Sequence, residues 1–379
     1  MTTNNDNQAV KKTHLKPILK SLILEPDGFT PEHAAEGLRS IMNGEASESQ
    51  MGGFLTALRL RGVDKNAKMI ASLAQEMMNY ALKPKIDLSD NQDHESKCTI
   101  MADIVGTGGD GWNTFNVSTT AGIIAAGAGL NIVKHGSRAS SSNSGSADLL
   151  EYMGCRLQSI TPTDVEGLIK ECHYCFIFAQ TFHPAMGYLA KTRRDLGFPT
   201  PFNVLGPLTN PVKPQAAIIG VHSQYLGPVM AEALRILGAR NYAVVCGEEN
   251  IDEVSIAGRT NVWHIQQDGS IEPYSIHPSD FGVETHSLEK VAGSTLERNA
   301  EILAHILDNK LSPEEEPIRD FVLVNTAFLL YIAKMADSYK SALQMARDSL
   351  ESGRARKVLS TFAERTQALE RENAEKQAL

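Results

Sequence analysis

The chain has 379 residues, 42% apolar and 21% charged, which is enough for two domains and a large buried core and excludes an intrinsically disordered protein. A formal net charge of −9 and a pI near 5.7 disfavour general binding to nucleic acid or to an acidic membrane, although a local basic cleft can sit inside an acidic protein. Five cysteines spread along the chain fit reduced thiols, the N-terminus has no apolar signal core, and no run of about 18 apolar residues marks a membrane span, so a soluble cytoplasmic protein is expected.

In chain order, Leu15, Ile18, Leu19, Leu22 and Ile23 mark one helical face, and Thr30 followed by Pro31 starts a helix that closes near Gly44. Two more helices follow, over 48–61, ending at Gly62, and over 65–82, capped by Asp64. Residues 1–83 therefore read as an all-helical domain, and the polar stretch 84–98 as a connector. Beyond it, candidate strands at 99–105, 130–134, 174–179, 216–221, 241–247 and 262–266 alternate with helical segments, the pattern of an α/β domain over 99–379 with a central sheet flanked by helices. The run PIRDFVLVNTAFLLYIAKM carries Arg319, Asp320 and Asn325 and reads as a buried helix. The charged tail after Arg356 reads as a frayed or exposed helix. Cys172 and Cys175 form a CxxC without a second pair, better explained as two small side chains buried at a helix-to-strand junction than as zinc ligands.

Within the α/β part, two anion cradles stand close together. Ile104 and Val105 end a strand, and Gly106, Thr107, Gly108, Gly109 and Asp110 follow, so the backbone turns sharply and leaves N–H groups uncovered. Asn116, Ser118, Thr119 and Thr120 then precede an apolar helix whose positive end suits a diphosphate. Alone, such a glycine cluster is as readily a plain turn, and it matches neither a Rossmann fingerprint nor a Walker loop. A second strand ends at Lys134, His135, Gly136, Ser137 and Arg138, before a serine-rich loop holding Ser141, Ser142 and Ser146. Lys134 and Arg138 can neutralise phosphate charge while the hydroxyls donate to its oxygens. Downstream, the adjacent carboxylates Asp252 and Glu253 are either a solvated turn or magnesium ligands, and His135 and His183 either touch substrate or are hydrogen-bonded core histidines. FNVLGPLTNP reads as a rigid turn that shapes the site without reacting.

The strings GTGGDGWNTFNVST, KHGSRASSSNSGSAD, HPAMGYLAKTRRDLG, FNVLGPLTNP and DEVS, in this order and spacing, resemble the anthranilate phosphoribosyltransferase family, a branch of the nucleoside phosphorylase type III-like phosphoribosyltransferases, from about residue 14 to 356. The polar insert near 84–98 and the C-terminal extension are similar to fungal members. The resemblance implies a small helical domain joined by helices from about 183–210, a large domain that binds phosphoribosyl diphosphate, and a homodimer formed through the helical domain. It places phosphoribosyl diphosphate on Gly106, Gly109, Asp110, Thr114, Asn116, Val117, Ser118, Thr119, Lys134, Ser141, Ser142 and Ser146, and Mg²⁺ on Ser118, Asp252 and Glu253. Anthranilate falls to Gly106, His135, Ser137, His183 and Arg193, with the Arg193 guanidinium forking onto the carboxylate, and the catalytic roles to Lys134, Asp252 and Glu253. One position departs from the family, which usually has KHGNR: this chain has Ser137, a shorter group with a different reach.

The implied reaction, a step of tryptophan biosynthesis, displaces diphosphate from C1 of the ribose by the aromatic amine, with inversion, through an oxocarbenium-like transition state. No obligatory base is nominated, because the aryl amine is already neutral. A pyrimidine nucleoside phosphorylase shares the implied fold but would need a site for a base and inorganic phosphate. A noncatalytic binding relative should lack the carboxylate pair or gain a basic face, and this sequence does neither.

Overall fold

The computed structural model describes residues 15–87, 99–138 and 145–378. Four helices open it, α1 (Leu15–Leu24), α2 (Pro31–Met42), α3 (Glu48–Leu60) and α4 (Ala67–Asn79). Two of their starts are capping boxes: Thr30 and Ser47 accept from backbone N–H groups three residues on, and the His33 and Gln50 side chains reach back. The fourth helix starts later than its spacing suggests, because Asn66 and not Asp64 is the cap, accepting from the N–H groups of Lys68 and Met69. Asp64 is buried in the preceding turn and paired with Arg59 at 2.6 Å.

The sheet is built from β1 (Met101–Gly106), α5 (Val117–Gly127), β2 (Asn131–Gly136), α6 (Ser146–Tyr152), α7 (Val165–Cys172), β3 (Tyr174–Phe178), α8 (Ala179–Phe182), α9 (Gly187–Leu196), β4 (Ala216–Gly220), α10 (Leu226–Ile236), β5 (Tyr242–Gly247), β6 (Thr260–Ile265) and β7 (Ile271–Ile276). Its order is β3-β2-β1-β4-β5-β6-β7, parallel through β5 and antiparallel beyond. The chain fills one side of β1 with β2 and β3, then returns to lay β4 on the other, so a crevice opens past the carboxyl ends of β1 and β4. All six expected strands form near their expected bounds, and β7 is an addition. Its Pro273 reads as a breaker in sequence but is tolerated here, since β7 pairs only with β6 at the sheet edge. Gly247 pairs with Thr260, Gly247 N–H donates to Ile251 O (2.9 Å) and Glu248 N–H to Arg259 O (2.9 Å), so the segment between β5 and β6 leaves and re-enters the sheet on one rung.

The helices α11 (Pro278–Phe281), α12 (Leu296–Leu307), α13 (Glu316–Ile332), α14 (Tyr339–Glu351) and α15 (Arg354–Ala378) complete the chain. Alternation along β4 divides the interior: Ala216 and Ile218 face a core shared with α5 and α13, while Ala217 and Ile219 face one shared with α10 and the first four helices. Leu189, Phe202 and Leu205 join the second core, so the 187–208 region packs with the N-terminal helices. The apolar run is the buried helix α13, and among the described residues no helix is long and apolar enough to cross a membrane. The charged tail differs from expectation. It forms α15, which buries Ala355, Val358, Phe362 and Thr366; Phe362 meets Tyr174 edge-on at 5.0 Å, because an apolar stripe at helical spacing runs through the charges. Cys172 and Cys175 are both buried at the α7–β3 junction, where burial pushes the Cys172 thiol up to about 12.

Candidate active site

Gly106 and Gly220 close the paired strands β1 and β4, and neither position has room for a side chain: a Cβ at Gly106 would overlap the Asp252 carboxylate, and one at Gly220 the Asp252 carbonyl. The segment after β5 is thereby set directly against the glycine loop. Gly108 and Gly109 take φ of +67° and +80°, which turns the Gly108 N–H onto Asp252 Oδ2 at 2.7 Å. Asp110 is held by the Trp112 N–H (3.1 Å), and the Trp112 indole donates to Glu249 O (3.0 Å), so the loop is tied at both ends to the carboxylate segment.

This packing has an electrostatic cost. The Asp110 and Asp252 carboxyls share a hydrogen bond, and burial together with the Asp252 charge pushes Asp110 up to about 7. Burial, then the neighbouring Asp252, also holds Glu253 well above the usual carboxylate range, although the Ser118 N–H at the start of α5 hydrogen-bonds it. Across from them Lys134, 1% exposed, donates to Ile104 O (2.6 Å) and Ser118 Oγ (3.1 Å). Burial lowers its pKa while Asp103 and Glu253 oppose that shift. Crowded carboxyls beside a serine hydroxyl form an all-oxygen donor set, and their mutual repulsion is what a bound Mg²⁺ relieves. Among the described residues no group of three or more His, Cys, Asp or Glu converges into a complete metal cage.

The rest of the first cradle follows. Thr114 bridges Ala292, and the Asn116 Oδ1 receives the Asn299 amide at 3.4 Å, both on the rim ahead of α5. Val117 and Thr119 turn into the core, Thr119 with a buried hydroxyl that has no partner among the described residues. In the second cradle Ser146 begins α6 and Ser137 is exposed, whereas Ser141 and Ser142 lie outside the described residues. Arg138 differs from its expected role as a phosphate cation: its guanidinium is committed to Glu151 (2.8 Å) and lies over the Phe178 ring at 5.2 Å.

On the neighbouring wall, His135 and His183 lie ring to ring at 5.2 Å. His183 Nε2 meets Thr209 O at 2.8 Å and His135 Nδ1 meets Gly206 O at 3.1 Å, leaving the buried His135 Nε2 without a partner among the described residues. Burial, reinforced by His183, pushes His135 down to about 3, so the imidazole is neutral. Further along α9, Arg193 is half-buried with no ion pair or hydrogen bond among the described residues, and burial alone lowers its pKa.

Three supporting residues escape sequence reading. The Asn210 amide donates to Asp103 Oδ2 (2.9 Å) and Val133 O (2.7 Å), while Asp103 accepts the His135 N–H (3.3 Å) and is pushed up to about 6 by burial. His222, after β4, sets its Nδ1 3.3 Å from Thr107 Oγ1, beside Asp110 and the Arg59–Asp64 pair of the helical part. Only the last Asn of FNVLGPLTNP offered a hint.

A helical bundle on a mixed α/β sheet, with a glycine loop and a helix start at the strand switch point and a carboxylate pair set against them, is the build of a glycosyl transferase that handles a phosphorylated donor. Residues 16–81 match the family described as glycosyl transferase family, helical bundle domain, and residues 99–356 its a/b domain. The chain is 42% identical over 332 residues to an anthranilate phosphoribosyltransferase of Schizosaccharomyces pombe, covering 88% of this chain and 91% of that protein. It is 37% identical to that of Methanobrevibacter smithii, covering 91% and 97%. The Saccharomyces cerevisiae enzyme solved in complex with PRPP and Mg superposes with a TM-score of 0.84 at 34% identity, over 93% of this chain and 98% of that one. The chain belongs to the anthranilate phosphoribosyltransferase family.

Proposed function

We propose that the protein transfers the 5-phosphoribosyl group from phosphoribosyl diphosphate to the amine of anthranilate, giving N-(5-phosphoribosyl)anthranilate and diphosphate for tryptophan biosynthesis. The observation that carries this reading is the crowded set Asp110, Asp252 and Glu253 facing Lys134 and Ser118 at the switch point, a place suited to a diphosphate and its cation. Relatives solved with PRPP and Mg, and with 4-fluoroanthranilate, point the same way.

In this reading the N–H groups of the Gly106–Asp110 loop, with Thr114, Asn116, Val117, Ser118, Thr119, Ser141, Ser142 and Ser146, hold the phosphates, and Lys134 stabilises charge growing on the departing diphosphate. Asp252, Glu253 and Ser118 would hold Mg²⁺, which supplies Lewis-acid neutralisation of the diphosphate. Gly106, His135, Ser137, His183 and Arg193 receive anthranilate. The Arg193 guanidinium, unpaired among the described residues, offers a fork for its carboxylate, and His135 Nε2, likewise without a partner there, a hydrogen-bonding point for the substrate. The histidines stay neutral, so they orient the amine without protonating it. The reaction then needs alignment of the amine with C1 more than proton transfer.

The division of the chain into helical unit 1–83, connector 84–98 and α/β unit 99–379, with 183–210 joining the helical part, belongs to the same reading. A homodimer through the helical unit is supported by the exposed apolar side chains Ile23, Leu24 (72%) and Leu60 (81%), with Arg61 donating to Ile23 O (3.1 Å) between them. A cytoplasmic setting is supported by free, buried thiols. The test is loss of anthranilate fluorescence on incubation with phosphoribosyl diphosphate and magnesium. Strict dependence on all three is expected, and turnover in the absence of phosphoribosyl diphosphate refutes the reading.

A further inference from the structure

At the opposite end of the sheet from the active site, ahead of β4 and β5, lies a cavity of about 430 Å³ between α4, the end of α10 and the segment 207–215. Its lining carries two cations, Lys213 and Arg240, and five amide side chains, with no carboxylate among the described lining residues, in a chain whose net charge is −9. Met78, Leu208, Leu234 and Leu237 supply an apolar wall. Arg240 donates to Ala239 O (2.6 Å) and also feels Asp268 from the β6–β7 turn, whereas Lys213 has no partner among the described residues. Lys213 is held at φ +53°, a conformation that a residue with a Cβ adopts at a cost. A mixed apolar and cationic hollow at the seam of two structural units is the usual form of a small-molecule site.

Three residues of that wall, Pro207, Leu208 and Asn210, belong to the segment whose other side holds the active site. Gly206 O and Thr209 O hold His135 and His183, and the Asn210 amide ties Asp103 to the strand that carries Lys134 and His135. One turn of chain thus faces the cavity with its back and the acceptor-binding histidines with its front. We propose that this cavity is an effector site for a small amphipathic organic anion, whose occupancy shifts the 206–210 segment and so changes affinity for the acceptor substrate. The binding half stands on the cavity alone; the regulatory half rests on the transferase reading above.

The test uses 8-anilinonaphthalene-1-sulfonate as the anionic probe, titrated by fluorescence onto the full chain. Saturable binding of one probe per chain is expected, not competed away by saturating phosphoribosyl diphosphate, magnesium and anthranilate, with anthranilate shifting the probe Kd by the same limited factor by which the probe shifts anthranilate affinity. It should be weakened at least about tenfold in the Lys213→Gln/Arg240→Gln double variant, which removes two ionic contacts. The variant should keep its unfolding midpoint and basal turnover. Arg193→Ala should bind the probe unchanged. Competitive displacement of the probe by either substrate, with an apparent Kd that keeps rising as the substrate is raised, binding of unchanged strength in the double variant, or no saturable binding overturns the site. Binding that passes those controls yet leaves KM for anthranilate unmoved overturns the regulatory half.

Discussion

The donor and acceptor walls proposed for the site are made differently. The donor wall is mostly backbone: the Gly106–Asp110 loop, the start of α5 and a carboxylate segment seated against two glycines that have no room for a side chain. The acceptor wall is mostly side chain: His135 from β2, His183 after α8, Arg193 from α9, fixed by carbonyls of the 206–210 segment. A wall of backbone N–H groups tolerates change only where glycine is free to vary, whereas a wall of side chains can be retuned one residue at a time. Changes on the donor side should therefore abolish turnover, and changes on the acceptor side should shift specificity.

The largest effect tests the donor wall. Asp252→Asn with Glu253→Gln should lower kcat by roughly a thousandfold or more, as expected when oxygen ligands to a catalytic cation are lost. The same change removes ionisable groups that burial and mutual repulsion disfavour. The variant should accordingly unfold at a higher temperature, and a simultaneous loss of folding would mean the carboxylates are structural. Next, Arg193→Ala should raise KM for anthranilate about tenfold to a hundredfold, the worth of one charge-assisted pair, while leaving KM for phosphoribosyl diphosphate nearly intact. Equal damage to both substrates in steady-state kinetics would merge the two walls into one.

A smaller effect separates them by pH. His135 is held at about 3 in the folded protein against an unfolded value near 6.5, so the folded state takes up fewer protons than the unfolded one between those values. Its contribution to stability is intact above about pH 6.5 and is lost as pH falls, by about 2 kcal/mol at pH 5. Asp103, pushed up to about 6, acts oppositely, gaining stability as pH falls from about 6 to 4, so the wild-type profile is a partial cancellation. His135→Gln should shrink the acid-induced loss between pH 7 and 5 by that amount in urea titrations. The smallest effect is at the family departure: Ser137→Asn should lower KM for anthranilate by a few-fold, the worth of one hydrogen bond, without touching the donor.

These differences also explain what could be read in advance. The donor wall is local in sequence, glycines and cap residues within one strand-loop-helix unit, and its turns follow from residue type. The carboxylate segment and Arg193 owed their roles to the family resemblance, since an Asp-Glu pair and a helix arginine carry no geometry by themselves. Arg138 illustrates the limit. Its spacing suited a phosphate, but Glu151, thirteen residues on in α6, takes its guanidinium. Asn210, Asp103 and His222 act only through contacts made by the finished sheet, so no local pattern marks them. The α15 stripe was hidden by the charges around it, and β7 by its proline.

The rung that joins Gly247 to Thr260 makes the Asp252 segment a closed ring, with its closure entropy already spent by the β5–β6 ladder. The outer hairpin of β6 and β7 contributes no residue to the site, yet it is the clasp of that ring. Loosening it at the distant sheet edge should appear first as faster amide hydrogen exchange at Ile251 and Asp252, ahead of any change in the glycine loop itself.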